Sequence, residues 1–171
     1  PGLSALVGSL LLGCGWVVWN LQLSVWQDWV WPFPEALAQE MGKVLQLDTA
    51  PLPLLLLVLA VSPAICEEVL FRGALMSGLR KSLPTWVLFL CVSIAFGVSH
   101  LILQRMTITA VSGLVLTYMV WRSGSLFTGM IGHVLVNGVG VFIQTMSLPP
   151  AAQSIATSAL EQSEGFPLWL L

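Results

Sequence analysis

The chain has 171 residues, of which 57% are hydrophobic and only 8% are Asp, Glu, Lys or Arg. Soluble domains carry roughly 25% charged residues, so this composition cannot cover a water-facing surface and indicates a protein embedded in lipid. It excludes a soluble enzyme domain, a disordered tail and a nucleic-acid-binding protein, which would need a basic surface. The lipid bilayer is therefore an expected partner, and nucleic acid is not.

Five stretches of the chain are long and apolar enough to be predicted as membrane-spanning helices. A hydrocarbon core about 30 Å thick needs roughly 20 apolar residues in a helix, and Pro51 and Pro84 stand at helix starts, where a missing N–H costs little. The predicted fold class is all-α, a polytopic transmembrane helical bundle with about five spans. In chain order the stretches are residues 3–26, 51–79, 84–103, 106–121 and 125–146.

The segments beside these stretches are more polar. Residues 35–47 cannot cross a membrane, but their apolar side chains share one helical face, which predicts an interfacial amphipathic helix; a soluble connector is the alternative. Residues 147–165 are predicted to form a polar connector, and residues 166–171 resemble the start of a truncated sixth span. We therefore expect residues 1–171 to be a single membrane domain with its motif core at 51–146, taken from a longer protein.

The most informative residues are ionisable groups inside the predicted spans, because a charge at mid-bilayer is costly and marks a functional candidate. Glu67 and Glu68 are adjacent in the longest apolar stretch. Glu68 and Arg72 are four residues apart, which predicts an ion pair on one helical face. Glu67 points about 100° away from Glu68 and has no partner in its own helix, so it is a candidate general base. The alternative is an ion-pair network that only fixes helix packing.

Two further pairs at helical spacing lie in other predicted spans. Phe96 and His100 share a face near the end of the third stretch, and His133 and Asn137 share one in the fifth. Taken alone, each histidine could be a packing residue, bonded to a backbone carbonyl or to a neighbouring helix. The chain has only two histidines, and one Glu with two His is the composition of a hydrolytic site. Such a site either ligates a metal that activates water or activates water directly.

Three motifs, each on its own predicted helix, occur in the order Glu-Glu-x-x-x-Arg, Phe-x-x-x-His and His-x-x-x-Asn. In this order they resemble the CAAX protease and bacteriocin-processing family, the Abi or CPBP group, which is related to the type II CAAX prenyl endopeptidase. The resemblance runs over residues 51–146. The matching residues are Glu67, Glu68, Arg72, Phe96, His100, His133 and Asn137.

The resemblance implies an intramembrane endopeptidase that hydrolyses a peptide bond near the C-terminus of prenylated or membrane-associated peptides. In family terms, Glu67 would activate the attacking water, while Glu68 and Arg72 would shape the site. His100 and His133 would bind a metal or position water and substrate. The expected partner is a peptide or prenylated protein substrate.

The resemblance also implies roles for Asn137 and Phe96 and a possible metal cofactor. Asn137 would stabilise the oxyanion, and Phe96 would contact the substrate. A metalloprotease would hold a divalent metal such as zinc on Glu67, His100 and His133. A metal-free glutamate mechanism is equally compatible with the motifs.

Two hypotheses from other functional classes are alternatives to a protease. One is a non-catalytic membrane domain, acting in bacteriocin immunity or sensing, or fused to or associated with a transporter permease. The other is a proton or ion relay, since intramembrane Glu and His also suit pumps. The candidate oxyanion donor and the predicted ion pair favour hydrolysis. We expect an integral membrane protein of the bacterial plasma membrane.

Overall fold

The computed structural model describes residues 2–37, 40 and 50–145, and this part of the chain contains helices and no strand. The all-α prediction is thus confirmed for the described residues. Most of the predicted interfacial helix at 35–47, and all of 147–165 and 166–171, lie outside them. The long helices are α1 (Leu3–Val30), α2 (Leu52–Leu79), α3 (Thr85–Val98), α4 (Leu103–Ser123) and α5 (Leu126–Thr145).

Three of these helices are long and apolar enough to cross a membrane. Both α1 and α2 have 28 residues and α5 has 20. Helix α3 is apolar but has 14 residues, and α4 has 21 residues, with polar side chains such as Gln104, Arg105 and Thr109 in its first half. Large apolar side chains such as Leu11 on α1 and Leu57 on α2 are exposed, as expected for surfaces that contact lipid.

Helix α2 is continuous but irregular, with π-helical stretches at Leu57–Val61 and Val69–Met76. Pro63 follows the first stretch, and it cannot donate to the carbonyl four residues before it, which accounts for an altered turn there. The second stretch begins directly after Glu68 and contains Arg72. Wider π turns within α-helices occur frequently at functional sites.

Helices α3 and α4 pack closely because small residues meet between them. A Cβ added at Gly97 would lie 2.6 Å from the Met106 carbonyl oxygen, and one at Gly113 would lie 3.0 Å from Ser93 Cα. The main apolar core lies beside this contact. Its buried members are Phe71, Met76, Leu88, Val92, Phe96, Leu116, Met119 and Val120.

Helix α1 closes one side of the bundle by packing against α4 and α5. A Cβ added at Gly13 would lie 2.9 Å from Leu135 Cδ1 of α5. Asn20 Nδ2 donates to Ser112 Oγ of α4 at 2.9 Å, and Trp16 Nε1 donates to the same oxygen at 3.3 Å. These contacts make α1 one wall of a cavity.

Candidate active site

A cavity of about 700 Å³ lies between the five helices, and side chains from all three sequence motifs line it. Glu67 comes from α2, while Phe96 and His100 come from α3 and the turn after it. His133 and Asn137 on α5 line the same cavity. The motif residues on its walls are Glu67, Phe96, His100, His133 and Asn137.

The other two motif residues form the predicted ion pair behind the cavity wall. Arg72 Nη1 donates to Glu68 Oε1 at 2.6 Å, and both side chains have 0% exposure. Arg72 also donates from Nη2 to the Gly113 carbonyl oxygen at 2.9 Å and from Nε to Thr117 Oγ1 at 3.3 Å. The helix α4 contacts compensate part of the cost of burying the guanidinium, so the pair is held by two helices.

Glu68 also connects this ion pair to His133. The Nδ1 of His133 lies 3.1 Å from Glu68 Oε1, the oxygen that accepts from Arg72. A carboxylate paired with a guanidinium can only accept a hydrogen bond, so we assign the proton to His133 Nδ1. When the imidazole is neutral, Nε2 is then an acceptor, and the contact with Glu68 fixes the orientation of the ring.

Glu67 faces the same imidazole from the cavity side. Its side chain is 29% exposed, and Glu67 Oε2 lies 3.7 Å from His133 Nε2, which is longer than a direct hydrogen bond. This carboxylate oxygen is buried, and among the described residues it has no hydrogen-bond partner. A buried acceptor of this kind calls for an additional donor.

Phe96 is the packing centre of the site. Its ring is 2% exposed and makes edge-to-face contacts with His100 at 5.1 Å and with His133 at 5.6 Å between ring centroids. The guanidinium carbon of Arg72 lies 4.6 Å from the Phe96 centroid. Phe96 therefore holds both imidazoles and the arginine, and its contact with substrate stays a prediction.

His100 lies in a tight turn that ends α3 earlier than the sequence predicted. The predicted third stretch ran to residue 103, whereas α3 ends at Val98. The Ile102 N–H donates to the His100 carbonyl at 2.7 Å, across Leu101, whose φ of 58° is a strained conformation for a branched side chain. His100 Nδ1 donates to the Phe96 carbonyl oxygen at 3.0 Å. Its Nε2 is left as the acceptor on this cavity-lining side chain.

Asn137 lies one helical turn after His133 on α5 and also lines the cavity. Within the part of the chain that the structure describes, no hydrogen bond is formed by its amide group. Its N–H groups are therefore available to a bound molecule. This is the property that an oxyanion donor requires.

The predicted metal ligands do not gather into one coordination group. No three His, Cys, Asp or Glu side chains of the described residues lie together as a metal site. Both imidazoles present Nε2 with the other nitrogen hydrogen-bonded, as metal ligands commonly do. A zinc ion at these residues remains a prediction, and we derive no step through it.

Sequence reasoning missed the side chains and glycines that support the ion pair. Thr117 and Gly113 hold Arg72 from α4, a helix on which no motif was found. A Cβ added at Gly129 of α5 would lie 2.5 Å from Glu68 Oε2. Thr117 is a fully buried polar residue, but a hydroxyl in an apolar stretch gives too weak a signal to be selected in advance.

Comparison with known proteins assigns the chain to a family. The family model described as Type II CAAX prenyl endopeptidase Rce1-like matches residues 49–139, which is more than half of the chain and includes all three motifs. No curated protein and no solved structure gives a significant match. The family match and the three long apolar helices together identify an integral membrane protein. The chain belongs to the type II CAAX prenyl endopeptidase Rce1-like family, a family of proteases.

Proposed function

We propose that this chain is an intramembrane endopeptidase in which Glu67 activates water for hydrolysis of a peptide bond. The proposed substrates are prenylated or membrane-associated peptides, cleaved near their C-terminus. The observation that carries the proposal is the facing pair of acceptors, Glu67 Oε2 and His133 Nε2, 3.7 Å apart on the wall of one cavity.

Two acceptors at this separation need a donor between them. A water molecule has two O–H groups and can donate one to Glu67 Oε2 and the other to His133 Nε2, since each contact needs about 2.8 Å. The lone pairs of that water remain free to attack a carbonyl carbon. The pair therefore orients a nucleophile as well as removing its proton.

The proposed hydrolysis proceeds in two steps. Glu67 takes a proton from the water, and the water oxygen forms a bond to the carbonyl carbon, which places negative charge on the carbonyl oxygen. The Asn137 amide donates to that oxygen. The protonated Glu67 then donates its proton to the leaving nitrogen as the C–N bond breaks, which releases an amine and a carboxylic acid that retains the second proton of the water.

Glu68 and Arg72, which lie behind the cavity wall, are proposed to position His133. Glu68 accepts from His133 Nδ1 and thereby keeps Nε2 unprotonated toward the water. Arg72 holds the Glu68 carboxylate in place through their 2.6 Å contact. His100 is proposed to contact the substrate through Nε2, because its Nδ1 is occupied by a backbone carbonyl.

We also propose which helices span the membrane and in which membrane the protein lies. We propose that α3 and α4 cross the bilayer together with α1, α2 and α5, giving five spans, because the close contact between α3 and α4 supplies α4 with an apolar partner. The bacterial plasma membrane remains our proposed location. Neither the family match nor the contacts support the predicted association with a transporter permease or a role in bacteriocin immunity.

The test is peptide cleavage by the purified chain in detergent or liposomes, with prenylated and unprenylated peptides. Glu67→Gln removes the base without changing the size of the side chain, and general-base catalysis contributes about 10²–10⁴-fold, so we expect kcat to fall by about that factor. Glu35→Gln is the matched control, because Glu35 is an exposed residue outside the cavity. Equal activity of Glu67→Gln and wild type would contradict the proposal. Failure of the folded wild type to cleave any peptide would favour the non-catalytic membrane domain.

A further inference from the structure

A second cavity, of about 270 Å³, lies beside the last turns of α2 and shares no lining residue with the cavity at the motifs. Arg72, Met76 and Arg80 line it at four-residue spacing, so one face of α2 forms one of its walls. The end of α4 and the start of α5 form the facing wall. The residues on that wall are Val120, Trp121, Gly124 and Leu126.

Arg80 supplies the unpaired charge of this second cavity. Its side chain is exposed, and no described carboxylate forms an ion pair with it. The other cation of the lining, Arg72, is buried, and its charge is balanced by Glu68. No Asp or Glu of the described chain lines this cavity. The second cavity therefore carries a net positive charge, which favours an anionic ligand.

Two further cations stand at the same end of the bundle. Lys81 follows Arg80 directly, and Arg122 lies in the last turn of α4; both are exposed. Because Arg80 and Gly124 line one cavity, the turn after α2 and the turn after α4 lie close together. Lys and Arg concentrate on the cytoplasmic side of membrane proteins, where the leaflet contains anionic lipids. The charge at this end thus matches a lipid surface of opposite sign.

Exposed tryptophans mark the mouth of the second cavity as a membrane interface. Trp121 lines the cavity and is exposed, and Trp86 is exposed in the first turn of α3. Helix α2 is long and apolar enough to cross a membrane, so its end at Leu79 emerges near the lipid headgroups. Tryptophan is enriched at that level. The anionic group that meets the cavity there is the phosphate of a lipid.

We propose that the second cavity binds the phosphate of an anionic glycerophospholipid, with Arg80 as its charged partner. The planar donors of an arginine match two phosphate oxygens, and basic pockets between membrane helices bind anionic headgroups. The amphipathic ring of Trp121 contacts the glycerol region beside the phosphate. The exposed side chain of Phe127, next to the lining residue Leu126, offers an apolar surface to the acyl chains.

Thermal unfolding of the purified chain in lipid-free detergent tests this site without any need for catalysis. The probes are phosphatidylglycerol, phosphatidylcholine, whose phosphate is balanced by a positive charge, and inorganic phosphate. A ligand at about 100 times its Kd raises Tm by roughly 5–10 °C for a domain of this size. We expect that shift with phosphatidylglycerol alone.

Two variants of the lining should remove the shift. Arg80→Gln takes away the cation at an exposed position, where the fold does not depend on it. Ser77→Glu brings a carboxylate into the cavity three residues from Arg80, within reach of an ion pair on the same helix. Both variants should lose most of the phosphatidylglycerol shift, the first by removing the partner of the phosphate and the second by occupying it.

Lys81→Gln and Arg122→Gln are the matched controls, because each removes one exposed cation from the same end without altering the lining. Both should keep most of the wild-type shift, since exposed charges are screened by salt. An equal shift in Arg80→Gln, or an equal loss in all three cation variants, would show a diffuse attraction to anionic lipid and overturn the site.

The three probes decide the source of the phosphate. An Arg80-dependent shift with inorganic phosphate would show a site for a soluble anion and overturn the lipid assignment. An equal Arg80-dependent shift with phosphatidylcholine would contradict the need for a net negative headgroup. Absence of any shift in wild type would overturn the proposal as a whole. None of these outcomes bears on the proposed hydrolysis, because the second cavity is separate from Glu67 and His133.

Discussion

Replacing Arg72 with Met should destabilise the fold strongly, because it leaves the Glu68 charge buried without a partner. Arg72 donates to Glu68 at 2.6 Å, to the Gly113 carbonyl at 2.9 Å and to Thr117 at 3.3 Å, and Met keeps the length of the side chain but none of these donors. Removing one partner of a buried ion pair costs about 3–5 kcal/mol. We expect the free energy of unfolding to fall by about that amount.

The assay is thermal unfolding of the purified chain in detergent. For a domain of this size, 1 kcal/mol corresponds to about 2–4 °C in Tm, so Arg72→Met should lower Tm by roughly 6–20 °C. The double variant Glu68→Leu with Arg72→Met removes both charges and should recover most of this loss, because apolar replacements of a buried pair are well tolerated. It should nevertheless fail to cleave peptide, since His133 Nδ1 has lost its acceptor.

Arg122→Met is the control, because Arg122 is exposed and should leave Tm nearly unchanged. A wild-type Tm for Arg72→Met would refute the argument that the pair stabilises the fold. Wild-type cleavage by the double variant would refute a different step, the orientation of His133 by Glu68. The two readouts therefore separate stability from positioning.

Three further predictions follow from single contacts. Gly129→Ala would place a Cβ 2.5 Å from Glu68 Oε2 and 2.6 Å from Val120 Cγ2, so it should cost about 1–3 kcal/mol and lower kcat. Gly15→Ala, on an exposed glycine outside the cavity with nothing within 4 Å, should do neither. Asn137→Ala should lower kcat by about 10²–10³-fold with little change in KM. A rise in KM with kcat unchanged would contradict the oxyanion role. A zinc chelator should leave cleavage unchanged if, as proposed, Glu67 and His133 hold the attacking water between them without a metal; inhibition reversed by added zinc would contradict that proposal.

The parts of the site that the sequence predicted are those set by local helical geometry. The Glu68–Arg72 pair follows from i, i+4 spacing, which brings two side chains together in any helix. Likewise, His100 and Phe96 are neighbours within one turn. The order of the motifs on separate helices then sufficed to suggest that they share a cavity.

The other features of the site depend on contacts between helices, and the spacing of residues within one helix does not predict these contacts. Thr117 and Gly113 approach Arg72 only because α4 packs against α3 and α5 in the same bundle. The end of α3 at Val98 was hidden because Leu101, Ile102 and Leu103 continue the apolar pattern after Ser99 and His100.

The central claim is that Glu67 and His133 act on the same water, and a double-mutant cycle on kcat tests it most directly. Glu67→Asp withdraws the carboxylate by one methylene, and His133→Gln removes the imidazole. Residues that act as a unit give strongly non-additive losses, so the double variant should be no more than about threefold slower than the slower single variant. Losses that multiply across the two substitutions would show that the residues act independently, and would contradict the account.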